Sequence, residues 1–493
     1  MISVAGPEPP CNPLKKGEGL IMAHSGTEPK AATVYPGWLV AIVLLAAMIP
    51  FGVVSGALAR FAFIGGCVVL GWYAWRQSAA IHLQTALTLF CFAPFVRRIV
   101  DLFAGYDTTG IMLVGPLMVL LAPALDLWKA FISGRPFANK QIVPITIVGA
   151  CTLYAGMLSL FQWDLLNTAS GLLKGFAPLI YAGALLLKKE PMESLLEAAA
   201  SAFLVILPVM GIYGIYQYVD PPEWDRFWMQ SATILSAGQP VPYGVRTFSV
   251  MNSPGTFATY AEVGLMLVLF LRTGPTALVL TAPAAIAFML SMYRTAWLSS
   301  AAVIGFCLLF SVTRFRAVSA IGASIGMILL ALLTPFSDVI TDRFASLTEG
   351  SNDGSARERL EEFVTLWNMP TSNLIGTGFS NVDVGTAGAM PVDGVFVACW
   401  LSMGLVIGLV CIGALFLACW NAIYSAFGSE RRTAIIAGAL ALGAMVHFPL
   451  ANIIAGESGF LFWTFVVLIQ ASKSPKASVT GMRRAGPVAS PNA

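Results

Sequence analysis

Long apolar blocks, separated by single charges or short polar joints, run through most of the sequence. Charge-free stretches cover 31–59, 108–125, 141–163, 198–219, 273–293, 295–313, 317–337, 394–429 and 433–456. A bilayer's hydrocarbon core needs about 20 apolar residues per crossing helix, and these blocks approach or exceed that length. Strands of a membrane barrel would instead be about 10 residues of alternating polarity, so a barrel is excluded. The pattern predicts an all-α polytopic membrane protein of about 12–14 transmembrane helices. The predicted spans are 36–56, 61–75, 83–99, 110–128, 141–162, 172–187, 196–217, 256–271, 275–292, 295–313, 317–336, 394–417, 433–450 and 457–471.

The stretches between them set the organisation. Residues 1–35 read as a disordered cytoplasmic segment, 36–217 as a first group of helices and 218–255 as a periplasmic loop rich in Pro, Trp and Tyr. A second helix group occupies 256–336, a large acidic periplasmic loop 337–393, the last helices 394–471, and a disordered cytoplasmic tail 472–493. With the N-terminus inside, the cytoplasmic joints collect the greater share of the 28 Lys and Arg, which favours this orientation with both ends cytoplasmic. Loops this long are usually functional or disordered. In the second, Ser355 and Glu358 make a capping box ahead of Leu360, Phe363, Leu366 and Trp367 at helical spacing. That pattern predicts an amphipathic helix, Ala356–Asn368, on the outer membrane surface, with Gly376 and Gly378 in a following turn. The first apolar run starts too late for a signal peptide. Met22, after Lys15-Lys16-Gly17-Glu18-Gly19, is an alternative expected translation start.

Composition agrees with the pattern. The chain of 493 residues is 57% hydrophobic and 11% charged, against about 25% charged for a soluble domain. A net charge of +3, with no basic patch outside the cytoplasmic joints, argues against nucleic acid as a partner. Of 8 cysteines all but Cys11 fall in apolar segments, without a CxxC, and the 3 histidines are scattered. A disulfide framework, a bound metal and a cofactor are therefore not expected.

The residues that need explaining are charges at or near membrane depth. Arg294 stands between two apolar spans, Arg246 just ahead of the eighth span with Asn252 and Pro254, Arg357 and Arg359 on the surface helix, and Asp393 where the next long span opens. Each arginine alone is as well read as a headgroup anchor. Arg97 and Arg98 read as anchors or as ion-pair partners of Asp101. Together on one face, the arginines suit a phosphate-bearing lipid, because the guanidinium fork binds phosphate bidentately and stays charged. A carboxylate beside them can take a proton from an attacking sugar hydroxyl while arginines stabilise the departing pyrophosphate.

At these residues, over roughly Pro242 to Leu468, the sequence resembles the bacterial O-antigen ligase/polymerase superfamily, and especially its exopolysaccharide polymerases. The likeness lies in Arg246 with Asn252 and Pro254, in Tyr293-Arg294-Thr295-Ala296, and in Arg359 followed by Phe363 and Gly376-Thr377-Gly378. It ends in Asp393-Gly394 and Met403-Gly404-Leu405. Asp393 stands where ligases commonly have histidine, Gly394 replaces an asparagine and Tyr293 a serine. The resemblance implies a GT-C-like, metal-independent membrane glycosyltransferase at the periplasmic face of the inner membrane. It would join polyprenyl-pyrophosphate-linked oligosaccharide repeat units into a polymer. Asp393 would be the general base, Arg246, Arg294 and Arg359 would hold the donor pyrophosphate, and Arg357 and Asn252 would assist. Partners implied are the lipid-linked oligosaccharide, membrane lipids, and the flippase and chain-length or export proteins of a polysaccharide assembly system. Two alternatives stay open: an O-antigen-type ligase, ranked lower because the loop histidine is missing, and a transporter or flippase of lipid-linked glycan.

Overall fold

In a hydrocarbon solvent every backbone N–H and C=O must be satisfied within its own segment, and the helix is the solution available to apolar blocks of this length. A computed structural model describes residues 35–134, 140–188, 190–232, 235–272, 274–332, 364, 367–368, 372–379 and 394–468. The described chain from Pro36 onward belongs to one unit, almost entirely helical.

Among the described residues, nine helical segments are long and apolar enough to cross a membrane. They are α1 (Gly37–Ser55), α2 (Leu58–Gln77), α3 (Ala79–Ala104), the segment Ile111–Ile132, α6 (Ile142–Phe161), α7 (Leu165–Leu187), α8 (Met192–Val219), α10 (Pro254–Leu271) and α15 (Val395–Phe427). Shorter apolar helices are α11 (Pro275–Leu290), α12 (Arg294–Leu308), α16 (Arg432–His447) and α17 (Gly456–Leu468). The helix α13 (Ser311–Leu332) carries Arg314 and Arg316. A helix stands at each of the fourteen apolar stretches predicted from the sequence. The protein is a polytopic, all-helical membrane protein.

Local chemistry sets several helix starts. Ser78 caps α3 by accepting from the Ile81 N–H, Asp164 caps α7 through the Asn167 N–H, and Ser253 caps α10 through the Thr256 N–H. Pro254 then occupies the first helical position of α10, where its missing N–H is not needed. The centre is α3, whose apolar window is 83% buried, packed against α1 and α8, with α8 in turn against α10 and α11. A helix apolar on all sides is what a bundle centre demands.

Contacts define two ends. At one, Arg272 pairs with Glu197 at 3.1 Å, Arg431 pairs with Glu193 at 3.0 Å, and Glu190 accepts from the Ala79 N–H at 2.8 Å. At the other, Arg60 pairs with Asp101 at 2.9 Å, and the segments after α8, α11 and α16 come together. This second end, the loop end, holds the described candidate residues Arg246, Asn252 and Arg294.

Three features differ from the sequence expectation. The stretch 110–128 is not one helix but a 3-10 turn at Ile111–Leu113, then α4 (Val114–Leu121) and α5 (Ala124–Ile132), broken at Ala122-Pro123. Proline lacks the donor that would continue the ladder. The stretch 218–255 contains α9 (Glu223–Ala232) and a tight turn closed by the Gly238–Val245 bridge. Finally, α15 runs past the predicted boundary to Phe427 and kinks at Gly404, whose φ of 75° favours glycine. The kink frees the Leu401 and Ser402 carbonyls, which accept instead from the Thr377 N–H at 2.8 Å and the Gly378 N–H at 3.0 Å. The short helix α14 (Ser372–Ile375) thereby lies against α15, and Gly376 and Gly378 turn with positive φ, as expected. The predicted surface helix lies mainly outside the described residues. Its described members Val364, Trp367 and Asn368 are helical and exposed, with Trp367 edge-on to Trp400 at 6.1 Å.

Candidate functional site

A buried ion pair anchors the loop end. Arg98 on α3 and Asp225 on α9 are both fully buried, with guanidinium and carboxylate 2.9 Å apart. Asp225 also accepts from Tyr213 Oη at 2.7 Å and Gln217 Nε2 at 2.5 Å. Arg98 donates to the Ser249 carbonyl at 2.6 Å and to the Met251 carbonyl, and its charge lies 4.9 Å from the Phe248 ring. Gln217 completes the set by accepting from the Phe248 and Ser249 N–H groups. The segment 245–252, which carries Arg246 and Asn252, is thus tied to α3 and α8 rather than left as a free loop. Arg97 does pair with Asp101, at 3.2 Å, as the sequence suggested, whereas Arg98 takes Asp225. In the neighbouring turn, burial alone would raise the Asp107 carboxyl. Hydrogen bonds from the Thr109 hydroxyl and from the Ile111 and Thr109 N–H groups outweigh it and hold the group below the usual carboxylate range.

Of the predicted site residues, Arg246 and Arg294 come to one corner. Arg246 donates to the Met292 carbonyl at 3.3 Å, and the Thr247 N–H bonds to the Leu290 carbonyl at 3.2 Å. Met292 has a positive φ of 54°, a sharp turn from which Tyr293 opens α12 with Arg294 as its first residue. Asn252 lies on the other side of this segment, its side-chain oxygen buried without a hydrogen bond. Asp393, Arg357 and Arg359 lie outside the described residues. Gly394, next in sequence to Asp393, opens α15 against the end of α16, where the Val395 N–H bonds to the Phe448 carbonyl at 2.7 Å.

Sequence reasoning missed a second buried cluster. Glu262 on α10 and His447 at the end of α16 meet at 3.0 Å, and the Ser299 hydroxyl of α12 donates to the same carboxylate. The His447 ring lies nearly parallel to Tyr293, with centroids 6.4 Å apart. A cavity of about 40 Å³ beside them is lined by Thr259, Glu262, Ser299, His447 and Ser458, room and partners for a water molecule. The signal was present: Glu262 is the one acid inside the predicted span 256–271, and such residues are rarely idle.

Two larger cavities open at the loop end. One, of about 660 Å³, lies between α2, α3, α4 and α7, largely apolar but reached by Asn252, Lys174 and Glu457. The other, of about 430 Å³, is more polar, with Thr152, Asn167, Thr256, Ser402 and Asn452 among its walls. They share Ser170, Lys174, Gly456 and Glu457. Both fall in the size range of small-molecule sites. Among the described residues, no group of three or more His, Cys, Asp or Glu is placed to hold a metal ion. The seven described cysteines are buried and unbridged.

Fold and site define a multi-pass helical membrane protein with a buried ion pair and two cavities at its loop end. Comparison with protein-family models and with curated proteins gives no match.

Proposed function

We propose that the protein is an exopolysaccharide polymerase, a GT-C-like glycosyltransferase joining polyprenyl-pyrophosphate-linked repeat units at the periplasmic face of the bacterial inner membrane, with both termini cytoplasmic. The observation that carries the reading is the corner where Arg246 reaches the Met292 carbonyl beside Arg294, at the same end of the bundle as two cavities of small-molecule size. In the reaction, an acceptor hydroxyl oxygen attacks the anomeric carbon of the donor. The bond from that carbon to the pyrophosphate oxygen breaks, the electron pair leaves with the lipid pyrophosphate, and the hydroxyl proton passes to Asp393. Arg246, Arg294 and Arg359 take the growing negative charge, doing without a metal ion. Arg357 and Asn252 assist in binding substrate. The test is the purified protein in liposomes with lipid-linked repeat units, its products resolved by gel and mass spectrometry. A ladder of whole repeats, lost in Asp393→Ala, is the expected outcome; folded protein that makes no ladder overturns the reading.

One observation favours a second reading, a transporter of lipid-linked glycan. The buried Glu262–His447–Ser299 cluster is of the kind that carries protons within membranes. Glycan crossing liposomes without bond formation, and abolished in Glu262→Gln, would select it.

A further inference from the structure

The two loop-end cavities divide by chemistry. Phe61, Ile64, Phe90, Leu113, Leu117 and Leu173 give the larger a hydrocarbon lining. Its lips Phe61 and Leu166 are 60% and 70% exposed, near the ends of α2 and α7, which in a bilayer faces them to lipid. The smaller cavity offers amides, hydroxyls and the Phe379 ring. This is the set that binds a sugar: amides and hydroxyls bond its hydroxyls, and a ring packs on its C–H face. Lys174 and Glu457 border both cavities, and no hydrogen bond or salt bridge joins either to a described residue. Asn252 adds a buried side-chain oxygen without a partner. The partly buried Glu457 and the unsatisfied Asn252 oxygen, with the exposed Lys174 at the rim, suit an amphipathic, hydroxyl-rich ligand.

We propose that the twin cavity is the seat of the lipid-linked acceptor saccharide, which names the second substrate of the polymerase reading and rests on it. The hydrocarbon enters from the bilayer between α2 and α7 and fills the larger cavity. The sugar lies in the smaller one, its hydroxyls donating to Glu457 and bonding Asn167 and Asn452. Lys174 stands where lipid and sugar are linked. The donor pyrophosphate keeps to Arg246 and Arg294 and the acceptor's own pyrophosphate to Lys174, while Glu457 accepts from sugar hydroxyls.

The test uses a diazirine-bearing alkyl maltoside with the full-length protein in nanodiscs, the labelled peptides mapped by mass spectrometry. Labelling concentrated on 166–175 and 452–458 is expected. It should drop about fivefold or more in Glu457→Gln, the loss of one charge-assisted hydrogen bond. Ser170→Trp, which fills the neck between the cavities, should do the same. Label spread evenly over lipid-facing residues such as Val43 and Val54, or unchanged in both variants, overturns the proposal. Localised label with no polymer ladder would leave a glycolipid site and remove the polymerase reading; a ladder without localised label would do the reverse.

Discussion

Replacing Asp225 by alanine should destabilise the loop end more than any change at its surface. Arg98 would keep the Ser249 and Met251 carbonyls but lose its counter-charge in a place where neither partner sees solvent. Removing one member of a buried pair costs about 3–5 kcal/mol, far above the usual worth of an exposed ion pair. With about 2.1 cal/mol/K of unfolding entropy per residue, a unit of about 450 residues loses about 1 °C per kcal/mol, so the melting temperature should fall by about 3–5 °C. The seven buried, free cysteines provide the assay: a thiol-reactive fluorogenic maleimide reports unfolding as they become exposed, in a Cys11→Ser background. The double variant Arg98→Leu/Asp225→Leu removes both charges and should recover part of the loss. A single variant melting within about 1 °C of the parent, or a double variant worse than the single, would refute the assignment of Arg98–Asp225 as the anchor.

Other changes test separate parts of the structure. Arg294→Lys keeps the charge but loses the planar fork, and polymer output should drop at least about tenfold with expression unchanged; full output would remove Arg294 from the site. Gly404→Ala places a Cβ against the Leu374 carbonyl at a positive φ. It should push α14 off the kink, adding about 1–3 kcal/mol of strain, read as faster proteolysis between 372 and 379. Asp107 is held below its ordinary range, so its stabilising contribution is complete above about pH 3.9 and is lost as pH falls through the lower folded value. The melting difference between the parent and Asp107→Asn should therefore be constant at neutral pH and close only in acid.

The sequence carried the helices because their cause is local. Apolar length and the need to satisfy backbone groups within a segment place a helix at all fourteen stretches, and Ser253-Pro254 marks the start of α10 without reference to anything distant. Pro123 was an equally local breaker, read past because the hydrophobic run continued through it. The pairing of Arg98 was misread for a different reason. Asp101 lies one turn away on the same helix, while Asp225 is brought to it only when α9 folds back across α3.

The candidate site divides in the same way. Arg246, Arg294 and Asn252 could be chosen from the sequence because charges and amides beside apolar spans are costly wherever they stand, and the cost is visible residue by residue. That Arg246 turns to the Met292 corner while Asn252 faces another wall depends on the bend at 245–252, which Arg98 and Gln217 hold from other helices. Glu262 and His447, 185 residues apart, become one buried pair only through the packing of α10 against α16. The cavities that join Lys174 to Glu457 likewise exist only between helices. Hydropathy and capping are properties of a segment, so the sequence by itself determined a membrane-spanning helical chain and the residues too polar to be idle in it. Which of those residues meet is a property of how segments pack, because a charge in low dielectric is stabilised by whatever partner the fold delivers, and only the tertiary structure decided that.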